Sequence, residues 1–260
     1  MYTEQQLTEQ IKKLGIKKND FITVHMSLKS IGDIDTSEKS SAEVFISALK
    51  NCVPDGLLVI PSHTYSNIRE VPIFNIRETM PCIGAVPTVA VQMANRAYDS
   101  GDKTCIRSFH LSHSVVAFGE KAYEFTDDDK NAESPMPEFG CYNKLARYGA
   151  KILLVGVGLG NNTIIHAVDE VMAPLTDPYP ITAIDYDGRK YQRIARNCPG
   201  PWPAKCYTQY EPYLEEAGAI TRGKIGDADV MVCDAKITVE TILNLRKNGF
   251  QLTLEQENEE

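Results

Sequence analysis

The stretch KILLVGVGLGNNTIIHAVDE, Lys151 to Glu170, decides how the rest of the chain is read. Its short apolar run, Ile152 to Val157, is punctuated by glycine, which predicts a buried strand. Gly156, Gly158 and Gly160 then allow a tight turn and a close approach of the backbone to a ligand. Asn161, Asn162 or Thr163 is expected to cap a helix that starts there. His166 falls in the first turns of that helix, and Asp169 and Glu170 follow three and four residues later. Those offsets put both carboxylates on the face of the imidazole. A strand, a glycine turn and a helix bearing histidine and acid would hold a general base rigidly, and His166 is the expected base.

Two other readings of this stretch fail on spacing. A dinucleotide fingerprint needs its third glycine three residues after the second, and that position is Asn161. Ser-His-Asp hydrolysis has no G-x-S-x-G elbow to start from, and nothing local activates Ser27, Ser108 or Ser114.

Around it, the order strand, helix, strand, helix implies an α/β fold: layered helix–sheet–helix with a mostly parallel central sheet and a late antiparallel hairpin. Strands are expected at Phe21 to Val24, Leu57 to Ile60, Val115 to Phe118 and Val230 to Cys233. Helices are expected at Thr3 to Leu14, Ser41 to Val53, Gly84 to Tyr98, Asn143 to Tyr148, Tyr210 to Ala217 and Ala235 to Arg246. Asp187-Gly188 predicts the turn of a hairpin between Ile181 to Asp185 and Lys190 to Ala195. The stretch Cys198 to Pro203 reads as rigid and non-helical, and Glu255 to Glu260 as a disordered tail.

The 260 residues, 43% hydrophobic and 24% charged, suit a soluble domain with ample core. No run is long and apolar enough for a membrane span, and the polar start MYTEQQLTEQIKK lacks the centre of a signal peptide. Seven scattered cysteines without C-x-x-C spacing fit reduced thiols in a cytoplasmic protein. A net charge of -8 argues against nucleic acid and suits a cationic small molecule.

Two further segments carry chemistry. His25 to Gly32, HMSLKSIG, puts hydroxyls, a lysine and a glycine at the end of a strand, where ligands bind in open α/β sheets. Cys105 to Ser114 gathers Arg107, Ser108, His110, Ser112, His113 and Ser114, a set able to hold phosphates or polarise a carbonyl. His110 and His113 lie on alternating sides of an extended chain with no third ligand nearby, so no metal is expected. Asp127-Asp128-Asp129 with Glu133 reads as a solvated acidic turn, with a cation-binding rim as the sharper alternative.

Four blocks in order carry a resemblance to the aminoglycoside 3-N-acetyltransferase (antibiotic N-acetyltransferase) family. They are VHMSLKSIG (Val24 to Gly32), TMPCIG (Thr79 to Gly84), RSFHLSHSVVAFG (Arg107 to Gly119) and LLVGVGLGNNTIIHAVDE (Leu153 to Glu170). A weaker fifth is GKIGDADVMVCDAK in the C-terminal third. The resemblance implies one acetyltransferase domain over residues 1–254. It implies acetyl-CoA as co-substrate and direct transfer of the acetyl group, without a covalent acyl-enzyme, to an amine, classically the 3-amino group of a 2-deoxystreptamine antibiotic. His166 would deprotonate that amine, with Asp169 or Glu170 orienting the ring. His25, Ser27, Lys29, Ser30, Ile31 and Gly32 would meet the pantetheine and phosphates. Arg107, Ser108, His110 and Ser114 would line the thioester end, with Ser108 or Thr163 available to the oxyanion. Acids on the rim would hold a polycation. CoA, a cationic small molecule and a second copy of the chain are the partners so implied. A different aminated acceptor, and CoA binding without turnover, are the alternatives. The chain departs from the family pattern at Leu111, where proline is usual, at Asp169, where glutamate is usual, and at Cys141-Tyr142, where Ser-Pro is usual.

Overall fold

Eleven elements lead from the N-terminus into the middle of the chain: α1 (Glu4–Lys13), β1 (Phe21–Met26), α2 (Ser41–Cys52), β2 (Leu57–Pro61), α3 (Tyr65–Glu70), β3 (Ile73–Asn75), α4 (Ala85–Ser100), β4 (Cys105–Arg107), β5 (Val115–Phe118), α5 (Ala122–Thr126) and α6 (Cys141–Arg147). They are followed by β6 (Lys151–Val155), α7 (Ile165–Met172), β7 (Tyr179–Ile184), β8 (Lys190–Ala195), α8 (Glu211–Glu216), β9 (Ile220–Ile225), β10 (Ala228–Asp234) and α9 (Ala235–Lys247). The structure is a computed structural model that describes residues 1–254 apart from 38, 174 and 198–203. The expectations for Cys198 to Pro203 and for the tail lie outside the described residues.

The apolar runs build a seven-stranded sheet in the order β4-β5-β2-β1-β6-β10-β9. Its centre is parallel: β1 pairs with β2 on one side and with β6 on the other. β5 and β10 run against their neighbours, and the other five strands share one direction. Successive side chains of a strand face opposite ways, so an unbroken apolar run needs cover on both faces. β6 shows this directly. Leu153 and Val155 enter a core with α1, α2 and α4, whereas Ile152 and Leu154 enter a second core with α6, α7 and α9. All four are fully buried, which contributes about 1.5–3 kcal/mol each. The layers are therefore helix, sheet, helix.

The helix ends follow from local chemistry. Thr3 and Gln6 form a capping box at α1, Ser40 and Glu43 another at α2, and Asp234 caps α9 through Lys236 N and Ile237 N. Pro87 sits in the first turn of α4, where its missing N–H costs nothing.

The hairpin at Asp187-Gly188 forms, but not on the main sheet. β7 and β8 pair antiparallel, and β7 pairs in parallel with β3, giving a separate three-stranded sheet. A second antiparallel pair, β9 with β10, extends the main sheet instead. The six described cysteines are free thiols. Among the described residues, no helix is long and apolar enough to cross a membrane.

Candidate active site

The parallel strands β1, β2 and β6 all end on one side of the sheet, and a cavity of about 420 Å3 opens there. Four of the chain's five histidines line it: His25 at the end of β1, His63 just after β2, His113 just before β5, and His166 on α7. The His63 and His113 rings lie 4.7 Å apart, and Tyr65 stacks on His113 at 5.7 Å. His63 Nε2 is hydrogen-bonded to the Tyr142 hydroxyl. Burial, and then the neighbouring charge of His166, holds the His25 imidazole down at about 4. Burial, followed by the surrounding imidazoles, pushes His63 and His113 well below the ordinary histidine value. Near neutral pH these three rings are therefore uncharged donors and acceptors.

His166 is the second residue of α7, in its first turn as the sequence predicts. The expected side-chain cap is absent: Ile164 occupies the N-cap position and makes no capping hydrogen bond. The first turn is fixed from outside instead. Asp169, one turn on and 3% exposed, brings Oδ2 to 3.3 Å from His166 Nδ1. Tyr207 donates its hydroxyl to the same Oδ2, and its oxygen lies 3.0 Å from Nδ1. Arg246 of α9 approaches the other Asp169 oxygen at 3.4 Å. Acceptors on the Nδ1 side favour a proton there, which leaves the lone pair on Nε2, at the opposite edge of the ring.

The glycine turn explains how Tyr207 arrives. A Cβ on Gly160 would stand 2.7 Å from the carbonyl oxygen of Ala204, so only glycine lets the 3-10 helix Ala204–Tyr210 pack against the turn. Gly156, at φ +63°, faces Ser30 in the same way, with a Cβ only 2.3 Å from Ser30 Oγ. The close approach allowed by Gly156 and Gly160 is therefore to the protein itself, not to a phosphate.

Several predicted site residues are placed elsewhere. Glu170 points away from His166: it accepts from Ser134 Oγ at 2.5 Å and from Met136 N at 2.8 Å, pinning that loop. Of the two acids, only Asp169 lies beside the His166 ring. Arg107 is 1% exposed, and its guanidinium donates to the carbonyls of Ile76 (2.9 Å), Thr79 (2.8 Å) and Ser62 (3.3 Å) and to Ser114 Oγ (3.2 Å). Burial lowers it to about 10. Ser114 in turn donates to Ser62 O at 2.7 Å, and Ser108 Oγ accepts from Val115 N. His110 Nδ1 accepts from the N–H groups of Ser112 and His113, and Nε2 donates to Ser134 O at 3.0 Å. Arg107, Ser108, His110 and Ser114 thus lock the loops that carry His63 and His113. They do not reach the cavity, because their polar groups are spent on buried backbone.

The first block divides. His25 lines the cavity, whereas Ser27 to Gly32 lie beyond its wall. Ser27 N donates to Val155 O at 3.0 Å, joining the ends of β1 and β6. Lys29 is exposed, and Ser30 packs on Gly156. Ile31 is fully buried in the core, and Gly32 packs against Asp227, so both serve packing. In the acidic turn Asp129 is buried and accepts from Cys141 N, whereas Asp128 is half-buried and Asp127 exposed, paired with Lys144 at 2.7 Å and Lys130 at 2.8 Å, and Asp127 lines a second cavity away from the histidines. Among the described residues, no three His, Cys, Asp or Glu side chains are grouped to hold a metal.

Sequence reasoning missed His63, Tyr207 and Arg246. His63 carries a usable signal, a histidine two residues past a buried strand that runs parallel to β1. Tyr207 and Arg246 have none, since each reaches Asp169 only through the tertiary packing of its helix.

The family model for aminoglycoside 3-N-acetyltransferase matches residues 23–245. An aminoglycoside N(3)-acetyltransferase III of Salmonella sp is 27% identical over 184 residues, covering 66% of this chain and 61% of that protein. The match thus spans less than two thirds of that relative's length. Among solved structures, AAC-IIIb in binary complex with CoASH superposes with a TM-score of 0.77 at 20% identity, covering 98% of this chain and 99% of that one. A mutant of AAC(3)-IVa in complex with a gentamicin gives a TM-score of 0.77 at 20% identity, covering 95% and 89%. The match over residues 23–245 places this chain in the aminoglycoside 3-N-acetyltransferase family.

Proposed function

We propose that residues 1–254 act as one acetyltransferase domain that moves the acetyl group of acetyl-CoA directly onto an amine, with His166 as general base. The observation that carries this reading is the His166–Asp169–Tyr207 constellation, set against the cavity wall at the ends of the parallel strands. An amine is mostly protonated at neutral pH and cannot attack until it loses that proton. His166 Nε2 takes it. The amine nitrogen then bonds to the thioester carbon, the C–S bond breaks, the acylated nitrogen releases its remaining surplus proton to solvent, and the thiolate leaves as CoA, protonated from the imidazolium. Asp169 stabilises the imidazolium and holds the ring. The carbonyl oxygen gathers charge on the way and needs a donor. Thr163, a residue of the cavity wall, would supply that donor; Ser108 is not in the wall, and its Oγ accepts from Val115 N. The CoA arm would enter past His25, which lines the cavity, with Ser27, Lys29 and Ser30 following just outside its wall.

The relatives' names support an aminoglycoside as acceptor, and the CoASH complex of a relative supports the donor. A second reading, an aminated acceptor of another class, is favoured by one observation: no Asp or Glu appears among the described residues of the cavity wall. Release of free thiol from acetyl-CoA tests the reaction. Release that requires an amine supports transfer; equal release without amine would mean hydrolysis, and none with any amine would mean binding alone.

A further inference from the structure

Two groups back the His166 ring, and the nearer one is not the acid. Tyr207 Oη lies 3.0 Å from His166 Nδ1, whereas Asp169 Oδ2 lies at 3.3 Å. A phenol has one hydrogen, and Tyr207 donates it to Asp169 Oδ2. Its oxygen keeps lone pairs, which leaves it free to accept from Nδ1–H. The direction of the chain is thereby fixed: imidazole N–H to phenol oxygen, phenol O–H to carboxylate. Arg246 faces the other Asp169 oxygen at 3.4 Å and closes the far end. Tyr207 is fully buried, and its ring meets the imidazole edge-on, with centres 5.4 Å apart. The 3-10 helix that carries it comes this close only because residue 160 is glycine.

The acid at position 169 gives this chain a purpose. Glutamate is usual there in the family pattern, and it has one more methylene with which to reach the ring. Aspartate, three residues on along the helix, stops short, and the phenol oxygen takes up the nearer place beside Nδ1. We propose that Tyr207 is a positioning residue that relays Asp169 to His166, so that aspartate and tyrosine together do here what a longer acid does alone. This rests on the reading of His166 as general base. When Nε2 takes the proton of the amine, the new charge is met at Nδ1 by the phenol oxygen and, behind it, by the carboxylate. No proton leaves Nδ1, and the tyrosine stays neutral throughout.

The test follows kcat and KM by acceptor-dependent thiol release in three variants. Tyr207→Phe keeps the ring and removes the relay; kcat should fall about 10- to 100-fold, with KM for acetyl-CoA and amine within about 3-fold of wild type. Asp169→Glu alone forces the longer acid against the phenol and should lower kcat by at least about 3-fold. The two together should exceed either single variant by at least about 5-fold in kcat, because the acid then fills the place the hydroxyl left. Damage of a purely structural kind would add up in the double variant instead of cancelling. On the wild-type protein, independent of any variant's folding, nitrogen-15 NMR of the neutral His166 ring should place its proton on Nδ1. Tyr207→Phe within about 3-fold of wild type in kcat, a double variant no better than Tyr207→Phe, or a ring proton on Nε2 would overturn the relay. The first two results would leave His166 standing as the base. Wild-type turnover by His166→Ala would overturn the base reading, and the relay with it.

Discussion

Asp169→Asn keeps the shape of the site and removes the charge behind His166. Asp169 Oδ2 lies 3.3 Å from His166 Nδ1, and its side chain is 4% exposed. Two unit charges at that separation interact by about 5 kcal/mol at an effective dielectric of 20. The imidazolium charge is only partly developed in the transition state, and Arg246 at 3.4 Å already draws on the same carboxylate. About half of the Coulomb figure, ~2–3 kcal/mol, is therefore lost, which lowers kcat roughly 30- to 150-fold. The asparagine can still accept from Tyr207, and Arg246 keeps the Tyr210 hydroxyl at 3.3 Å, so the fold should persist. The assay is kcat and KM from thiol release, with CoA affinity measured separately. Glu170→Gln is the control. It should weaken the anchoring of Ser134 and Met136 and appear in stability or KM, with kcat changed less than about 3-fold, since its carboxylate does not face His166. An Asp169→Asn enzyme that keeps kcat within about 3-fold of wild type would refute the reasoning.

Gly156→Ala should destabilise the fold by ~2–5 kcal/mol in urea unfolding, from a left-handed backbone costing about 1–2 and a methyl forced against Ser30 costing about 1–3. Adding Ser30→Gly should recover the second part only, and a loss below about 0.5 kcal/mol for the single variant would contradict the packing described. The folded protein should lose stability in acid. His25, His63 and His113 bind protons less readily folded than unfolded, so the unfolded chain takes up protons first as pH falls. Stability is full above about 6.5 and declines towards about 4 for His25, with a slope of up to about 1.4 kcal/mol per pH unit for each imidazole. Glu170, whose carboxyl is raised by burial, binds its proton more readily folded and opposes this just above its ordinary range. A urea midpoint that stays flat from pH 7 to pH 5 would contradict the neutral histidine cluster.

What could be read from the sequence was what is local. The apolar runs of β1, β2 and β6 name themselves as strands because they are buried on both faces, and His166 with Asp169 is fixed by helical spacing. The three-stranded sheet was not legible, since β3 joins β7 from more than a hundred residues away and no local pattern encodes that pairing. The serine–histidine block was legible as polar and special, but not as inward-facing. Whether Arg107 meets a ligand or the carbonyls of Ile76 and Thr79 depends on where a separate loop packs. The choice between Asp169 and Glu170 likewise turned on what lies beside α7. Tyr207 and Arg246 stand beside the first, and the Ser134–Met136 loop beside the second.

The most direct measurement of the central claim is acceptor-dependent thiol release by His166→Ala, with CoA binding measured on the same preparation. Removal of a positioned general base should lower kcat by roughly 10²- to 10⁴-fold while the affinity for CoA stays within about 3-fold of wild type. Turnover near the wild-type rate in a folded His166→Ala protein would contradict the account.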